Sequence, residues 1–564
     1  MDSRVNSDTT IRATVGNDHY EIYAVPDGII VEKDVMIPTT QGPRLAANVF
    51  RPEKPGRYPV LLCCTTYGKD MHPLDYTLAG RGPANRSIGL DMGDMRVSEA
   101  TPFEAADPGY WVPHDFVVVH VDALGSGKSE GEAALGLGNE VISAFCDAVG
   151  WSSDQEWSNG KVGLNGVSYL AVVQWPIAAR KPRGLAAIAP WEGFNDVLAD
   201  LVTQGGIPET AFFPWWMSGE KSASPADDGG PYFSSVKPKV EEGAFVALAG
   251  LSLGLTPNRI DFPVLPPDFS AIEVPALICG SWSAQGLHSR GAFIGFEKIA
   301  SQHKHLYTHG RHEWTVSNSA DALEFQRKFY EQYLHGNDQK LPTVRLEVRQ
   351  SLEAHTVRYE DAFPLLFATP TPFFLDASTQ TLGPIPPVGE VTASYDSTSA
   401  TDELTFRHTF TQDTEITGPM ALRCFMSTDE GFDIDLFVGL RKFDANNCEV
   451  EFWNRLSRHD VMTRGWLRAS RRPNEEMRDS LTPAAQYETE MPVPLNEVIE
   501  MNVEILPSST FFEKGSTLVL ELRGRDITEL PNFQHHRIFN CGQHTLYAGQ
   551  KFPSRLLVPV VPGH

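Results

Sequence analysis

The stretch Lys161-Val162-Gly163-Leu164-Asn165-Gly166-Val167-Ser168-Tyr169-Leu170-Ala171 decides the fold of this chain. An apolar, strand-like run enters Gly166-Val167-Ser168, and a helix-like run leaves it. Where a strand turns sharply into a helix, the residue two before the apex must be small, because a side chain there collides with the emerging helix. Gly166 meets that need. The apex residue, Ser168, is then lifted above the sheet edge with its hydroxyl exposed, and the first N–H groups of the helix point toward developing negative charge. The match to G-x-S-x-G is incomplete, since Leu170 and Ala171 stand where a further glycine is expected.

Working outward, five more apolar β-type runs share the character of 161–165 (KVGLN): 59–65 (PVLLCCT), 116–121 (FVVVHV), 185–189 (LAAIA), 274–279 (VPALIC) and 305–309 (HLYTH). They lack polar alternation, as strands buried on both faces of a mostly parallel sheet do. The spacing predicts a helix over 319–334, with Ala322, Phe325, Phe329 and Tyr333 on one core-facing side, Ser319 as its cap and Gly336 as its end. Residues 200–265 break the alternation with a run rich in aromatics, proline and glycine, and read as an inserted cap over the site. Beyond about 340 the period changes to two: Ile434, Leu436, Val438 and Leu440, then Ile499, Met501, Val503 and Ile505, then Leu518, Leu520 and Leu522. Half-buried antiparallel strands follow from that period, and a jelly-roll β-sandwich from their number. The expected division is a polar lead-in over 1–30, an α/β domain made of 31–199 and 266–338, the cap over 200–265, and the sandwich over 339–564.

With 564 residues the chain exceeds a single core. Its formal net charge of −25 repels a phosphate backbone and argues against nucleic-acid binding. The seven cysteines, Cys63, Cys64, Cys146, Cys279, Cys424, Cys448 and Cys541, show no metal-type spacing. Cys63, Cys64 and Cys279 fall in apolar runs and read as buried thiols of a reducing compartment. No apolar leader and no run of eighteen apolar residues is present, so the expectation is a cytoplasmic protein without a membrane span.

The run Asn165-Gly166-Val167-Ser168-Tyr169-Leu170, followed by Val173-Gln174-Trp175 and Ile188-Ala189-Pro190, resembles the cocaine-esterase-like hydrolases, relatives of the X-prolyl dipeptidyl peptidases and the alpha-amino-acid ester hydrolases. The resemblance continues in Asp122-Ala123-Leu124-Gly125-Ser126-Gly127-Lys128-Ser129-Glu130-Gly131, in 432–438 (FDIDLFV) and in 553–559 (PSRLLVP), so it runs from about residue 30 to the end. It implies an α/β-hydrolase fold with a helical cap and a C-terminal jelly roll. It also implies an acyl-enzyme at Ser168, with an oxyanion held by the Tyr67 hydroxyl and the Tyr169 backbone N–H.

The base should be a histidine after the last parallel strand. His303, His305, His309 and His312 crowd there; His312 follows a glycine in the loop, matching the family's G-x-H, and His309 is next in line. The family's acid lies after the strand 274–279, in a W-x-D motif. Here the text is Gly280-Ser281-Trp282-Ser283-Ala284-Gln285-Gly286-Leu287-His288, with Ala284 at the carboxylate's place. Losing that acid costs on the order of 10⁴-fold in rate, because nothing then fixes the histidine tautomer. Three readings stand: an inactivated variant; a relocated carboxylate, with Glu192 and Asp196 as candidates; or a pocket that no longer hydrolyses. Trp175, Phe212, Phe213, Trp215 and Trp216 are expected to form aromatic walls for a small to medium, partly apolar acyl group.

The expected function is therefore hydrolysis of an ester or small amide. The alternatives are acyl transfer, cyclisation or lyase chemistry in the same pocket, and a non-catalytic binding protein. No cofactor or metal is implied, the partner is a small-molecule ester or amide, and homo-oligomerisation is left open.

Overall fold

The computed structural model describes residues 10–15, 18–75, 94–131, 137–212, 266–455, 457–528, 533–535 and 539–563. Its first sheet runs, in spatial order, Ile29–Ile37, Leu45–Pro52, Val117–Asp122, Tyr58–Thr65, Ser158–Val167, Leu185–Trp191, Ala276–Ser281, Lys304–His309, Val344–Arg349 and His355–Glu360. The seven strands from Val117–Asp122 to Val344–Arg349 are parallel, and antiparallel strands close both edges. All six apolar runs fall in this parallel set. The strands Tyr58–Thr65, Val117–Asp122 and Ala276–Ser281 are buried at every residue, which is why they carry no polar face.

The helix Ala320–Tyr330 starts where Ser319 accepts a hydrogen bond from the Ala322 N–H, continues as a π-helical turn over Glu331–His335, and ends at Gly336 with φ 87°. Its Tyr330 hydroxyl donates to the Leu164 carbonyl at 2.7 Å, and its Gln326 accepts from the Asn165 side chain at 3.1 Å. The helix thereby grips the strand that leads into Ser168.

The polar lead-in is more structured than expected. Ile11–Val15 and Asp18–Tyr23 form a hairpin, and the second strand pairs in parallel with Met95–Ser98, burying Tyr20. The short alternation of Tyr20 and Ile22 within a charged context was the missed signal. The proposed cap begins differently as well: a π-helical turn, Val197–Val202, leads into a two-strand clip, Thr203–Gln204 with Ile207–Pro208. This clip packs on the C-terminal domain so closely that a Cβ on Gly205 would lie 1.9 Å from the Trp466 carbonyl oxygen. The rest of the cap, with Phe213, Trp215 and Trp216, lies outside the described residues.

From Thr369 onward the pairing is mostly antiparallel, with Thr381–Gly383 running parallel to Leu404–Thr409. Thr414–Thr428 lies against Ile499–Phe512 and Arg555–Val561, while Asp435–Phe443 lies between Thr463–Arg468 and Thr517–Arg523. The inward residues Ile434, Leu436, Val438, Leu440, Met501, Val503, Ile505, Leu518, Leu520 and Leu522 form a second core, separate from that of the parallel sheet. No helix among the described residues is long and apolar enough to cross a membrane.

Candidate active site

The turn at Ser168 is strained as its sequence requires. Ser168 has φ 55° and ψ −116°, and Gly166 has φ 144°. A Cβ on Gly166 would sit 2.3 Å from the Leu170 Cβ. A non-glycine residue held at such a backbone angle costs on the order of 1–3 kcal/mol and persists where the surroundings over-determine it. One such support is the Val167 N–H, which donates to the Glu104 carbonyl at 3.0 Å.

The imidazole within hydrogen-bond distance of the Ser168 hydroxyl is that of His288, with its Nε2 3.1 Å from Oγ. His288 ends the stretch that begins at Gly280. The Ala284 carbonyl accepts from the N–H groups of Leu287, His288 and Ser289, and this turn delivers the ring. The His288 Nδ1 accepts the Phe194 N–H at 3.3 Å, and the Phe194 ring stacks on the imidazole with 10° between planes. Because Nδ1 accepts, the proton belongs on Nε2, and Nε2–H donates to Ser168. Burial and the Arg455 charge push the His288 pKa well below the usual imidazole range, so the ring is neutral.

Tyr67, Tyr169, Phe194, Leu201, Phe212, Leu287 and His288 form a cup around Ser168. The Tyr67 and Tyr169 rings meet edge to face at 5.9 Å. The Tyr67 loop is pinned from behind by Asp122, whose carboxylate accepts the Lys69 N–H at 2.6 Å and the Lys128 N–H at 3.0 Å. The buried Lys69 ammonium reaches Asp34 and Asp70. The Asp122–Gly131 motif thus acts by fixing the loop that carries Tyr67.

Behind Ser168 lies a group of buried carboxylates. Glu104, at φ 64°, accepts from the Trp314 indole N–H at 3.1 Å through Oε1, and the Ser168 hydroxyl favours its charged form. Glu313 Oε1 is 3.8 Å from His288 Nε2, and its Oε2 is 3.1 Å from Arg455 Nε. Burial holds the Glu104 pKa well above the carboxylate range, helped by the charge of Glu313. Burial also pushes Glu313 up to about 8, against the pull of Arg455.

The structure corrects several expectations. His312 is not the residue bonded to Ser168: it caps the helix Glu313–Ser317, and its Nδ1–H donates to the Arg455 carbonyl at 2.9 Å. The His312 ring faces the C-terminal domain, where it meets Trp453 edge-on. Glu192 does pair with a histidine, but with His309, at 2.7 Å. His309 Nδ1 accepts the Arg311 N–H, so both of its nitrogens are engaged away from Ser168. Trp175 is wholly buried with its indole N–H on the Gly193 carbonyl, a core residue and not a substrate wall. Asp196 caps the turn Val197–Val202. Phe212 does line the cup, stacked on Phe533. Tyr67 and Tyr169 line the cup beside Ser168, and Ala284 is fully buried.

Among the described residues, Glu192, Cys279 and His309 bring metal-ligand-type atoms within 4.8 Å of one another. Their donor set does not favour an ion: the His309 Nε2–H already donates to Glu192, and burial holds the Cys279 thiol protonated.

Sequence reasoning missed His288, Glu104, Glu313 and Arg455. His288 was legible as a histidine at the C-terminal end of a parallel strand's loop. The other three come together only through tertiary contacts.

Residues 41–314 match the X-Pro dipeptidyl-peptidase (S15) family, and residues 336–557 match the X-Pro dipeptidyl-peptidase C-terminal non-catalytic domain. A CocE/NonD family hydrolase from Staphylococcus aureus superposes with a TM-score of 0.85 at 34% identity, covering 96% of this chain and 94% of that one. A cocaine esterase from Rhodococcus sp. (strain MB1 Bresler) is 32% identical over 160 residues, which is 28% of this chain and 23% of that protein. The aligned stretch therefore spans about a quarter of that curated relative. An alpha-amino acid ester hydrolase superposes with a TM-score of 0.63 at 16% identity over 94% of this chain and 97% of that one, a likeness of fold.

Proposed function

Because the chain belongs to the CocE/NonD family of hydrolases, we propose that it hydrolyses esters or amides of small to medium, partly apolar acyl groups through an acyl-enzyme at Ser168. The observation that carries this reading is the strained turn that holds Ser168 Oγ 3.1 Å from His288 Nε2 at the bottom of an aromatic cup. The cup's described lining contains no carboxylate to receive a free amino terminus, which favours an esterase or amidase over a peptidase.

In the proposed reaction Ser168 Oγ attacks the substrate carbonyl carbon, and its proton passes to Glu104. Glu104 accepts that proton in its ionised form, which the Ser168 hydroxyl and the Arg455 charge favour against burial. The Tyr67 hydroxyl and the Tyr169 N–H hold the oxyanion, and the His288 Nε2–H steadies the seryl oxygen while it carries charge. Glu104 returns the proton to the departing oxygen or nitrogen. In the second half a water gives its proton to Glu104, its oxygen attacks the acyl carbon, and Ser168 recovers the proton as the acid leaves. A carboxylate base needs no partner to select its tautomer, which accounts for Ala284 where the family has an acid.

A second reading keeps His312 as base. Its Nδ1–H is held by the Arg455 carbonyl, which leaves Nε2 as the lone-pair nitrogen a base requires. Incubation with a fluorophosphonate probe and with p-nitrophenyl acetate tests the whole assignment. Labelling at Ser168 with turnover supports hydrolysis, and both should vanish in Ser168→Ala. Labelling without turnover indicates acyl transfer, and no labelling a binding protein. Loss of turnover in Glu104→Gln but not in His312→Asn supports the first reading, and the reverse the second.

A further inference from the structure

A cavity of about 340 Å³, including its open mouth, borders Gly166 and Val167, the two residues that lead into Ser168. It shares no wall residue with the aromatic cup. Glu104, in the segment between the strand Met95–Ser98 and the helix Pro108–Trp111, is part of its wall. Most polar groups of the wall are held by bonds of their own. Asn165 Nδ2 donates to Gln326 Oε1 at 3.1 Å, Gln326 Nε2 to the Ser317 carbonyl at 3.3 Å, and Asn318 Nδ2 to the Trp314 carbonyl at 2.9 Å. Asp107 is engaged at both oxygens, by the Tyr23 hydroxyl and Ser98 N–H at one and by the Ser98 hydroxyl and Gly109 N–H at the other. Two groups differ. Glu104 is 7% exposed and Trp191 2%, yet among the described residues neither Glu104 Oε2 nor the Trp191 indole N–H has a hydrogen-bond partner.

A buried polar group without a partner is costly, and ordered water meets such groups where a cavity is polar and large enough. One acceptor and one donor in the same cavity call for a ligand that both donates and accepts. A cation cannot accept from the indole N–H, and an anion is repelled by the glutamate. Water does both, and each molecule takes about 30 Å³ in the liquid. We propose that this cavity is a hydration site behind the base, where water accepts from the Trp191 N–H, donates to Glu104 Oε2, and joins Glu104 to solvent. A protonated Glu104 cannot take the Ser168 proton, so each turnover begins only after Glu104 has lost any proton it holds. Because the cavity and the cup have separate walls, a seated acyl group leaves this rear path open. The step is a proton transfer alone: the Glu104 O–H bond breaks, an O–H bond forms on the neighbouring water, and the excess proton leaves through the mouth.

This inference rests on the reading of Glu104 as base, and its test separates the two. Crystals of the full-length protein and of its fluorophosphonate adduct, at a resolution that shows ordered water, need no turnover. Both should hold water within hydrogen-bond distance of Trp191 Nε1 and of Glu104 Oε2. A cavity without that water in either crystal overturns the proposal, whichever residue is the base. The route is tested by rescue. Glu104→Gly suits the backbone at φ 64° and leaves the carboxylate's place open to the cavity. It should lower kcat for p-nitrophenyl acetate by about 10²–10⁴-fold, and sodium formate should restore part of that loss without competing with the substrate. Leu323 and Asn318 are half-buried residues that line the cavity and not the cup, so Leu323→Trp or Asn318→Leu added to Glu104→Gly should block the rescue. No rescue in Glu104→Gly, rescue that the substrate competes away, or rescue that survives both added substitutions overturns the rear route. Full activity of Glu104→Gly overturns the base reading and the proton route with it, even where the water is seen.

Discussion

His288 meets Ser168 with Nε2 at 3.1 Å while its Nδ1 faces the Phe194 N–H at 3.3 Å, so the ring donates to the serine and does not accept from it. A donor fixed on the reacting oxygen acts like a member of an oxyanion hole, and removing one such donor costs about 10²–10³ in kcat. His288→Ala should therefore reduce kcat for p-nitrophenyl acetate by that factor with little change in KM. His312→Asn should act mainly on thermal stability, through the lost bond to the Arg455 carbonyl. Equal activity of wild type and His288→Ala would remove His288 from the chemistry.

Restoring the family's acid gives a sharper comparison. Ala284 is fully buried beside Ser283, whose hydroxyl donates to the Arg311 carbonyl and whose own carbonyl accepts from Arg455. Ala284→Asp adds a carboxylate to a region that already buries Glu192 and Glu313. An uncompensated buried charge costs about 3–5 kcal/mol, so the melting temperature should drop and kcat should not rise. A tenfold or greater gain in kcat, on the scale of a 1.4 kcal/mol lower barrier, would mean that His312 is the base and had lacked its acid.

The contrast between those two variants reflects what was legible in the sequence. The parallel strands were readable because burial on both faces removes polar residues from them, and the sandwich because one-sided burial imposes a period of two. Ser168 was readable because the turn tolerates only a glycine at 166. Tyr67 came through resemblance, and so did His312, whose Nδ1–H is bonded to the Arg455 carbonyl while His288 is the ring within hydrogen-bond distance of Ser168, a pairing nothing local reveals. Glu104, Glu313 and Arg455 look like surface charges in the text. They lie 209 and 142 residues apart in succession, and only the folded chain turns them into one buried cluster.

Leu287 offers a test of specificity. Its side chain lines the cup at Ser168 and also a second cavity of about 520 Å³, including its open mouth, whose walls include Ala485, Leu506, Trp466 and Tyr487. One leucine thus lies between the acyl-binding cup and a larger space. Leu287→Ala should leave kcat/KM for p-nitrophenyl acetate within a few-fold of wild type and raise the value for octanoate by about tenfold or more, since each buried CH₂ contributes about 0.8 kcal/mol. Adding Ala485→Phe should cancel the gain by filling the space. A chain-length profile that does not move in Leu287→Ala would show that the two cavities do not communicate through this residue.

The buried Glu192–His309 pair makes stability depend on pH in a predictable direction. Burial raises the Glu192 pKa to about 8, so between the unfolded value near 4.5 and 8 the folded chain binds the extra proton and stability falls as pH rises. Burial lowers the His309 pKa to about 3, so between 3 and 6.5 the unfolded chain binds the extra proton and stability rises with pH. The two opposing slopes overlap below 6.5, and above it the glutamate acts alone. Glu192→Gln keeps an oxygen to accept the His309 Nε2–H and removes the charge. Denaturant unfolding between pH 6.5 and 8 should therefore show a shallower decline in the variant, by up to about 1.4 kcal/mol per pH unit, the value of one proton. Glu313 and Glu104 remain in both proteins, so the difference isolates residue 192. Parallel curves for the two proteins would mean that Glu192 is already ionised in the fold, and that the His309 Nε2–H is bonded to a carboxylate and not to a carboxylic acid.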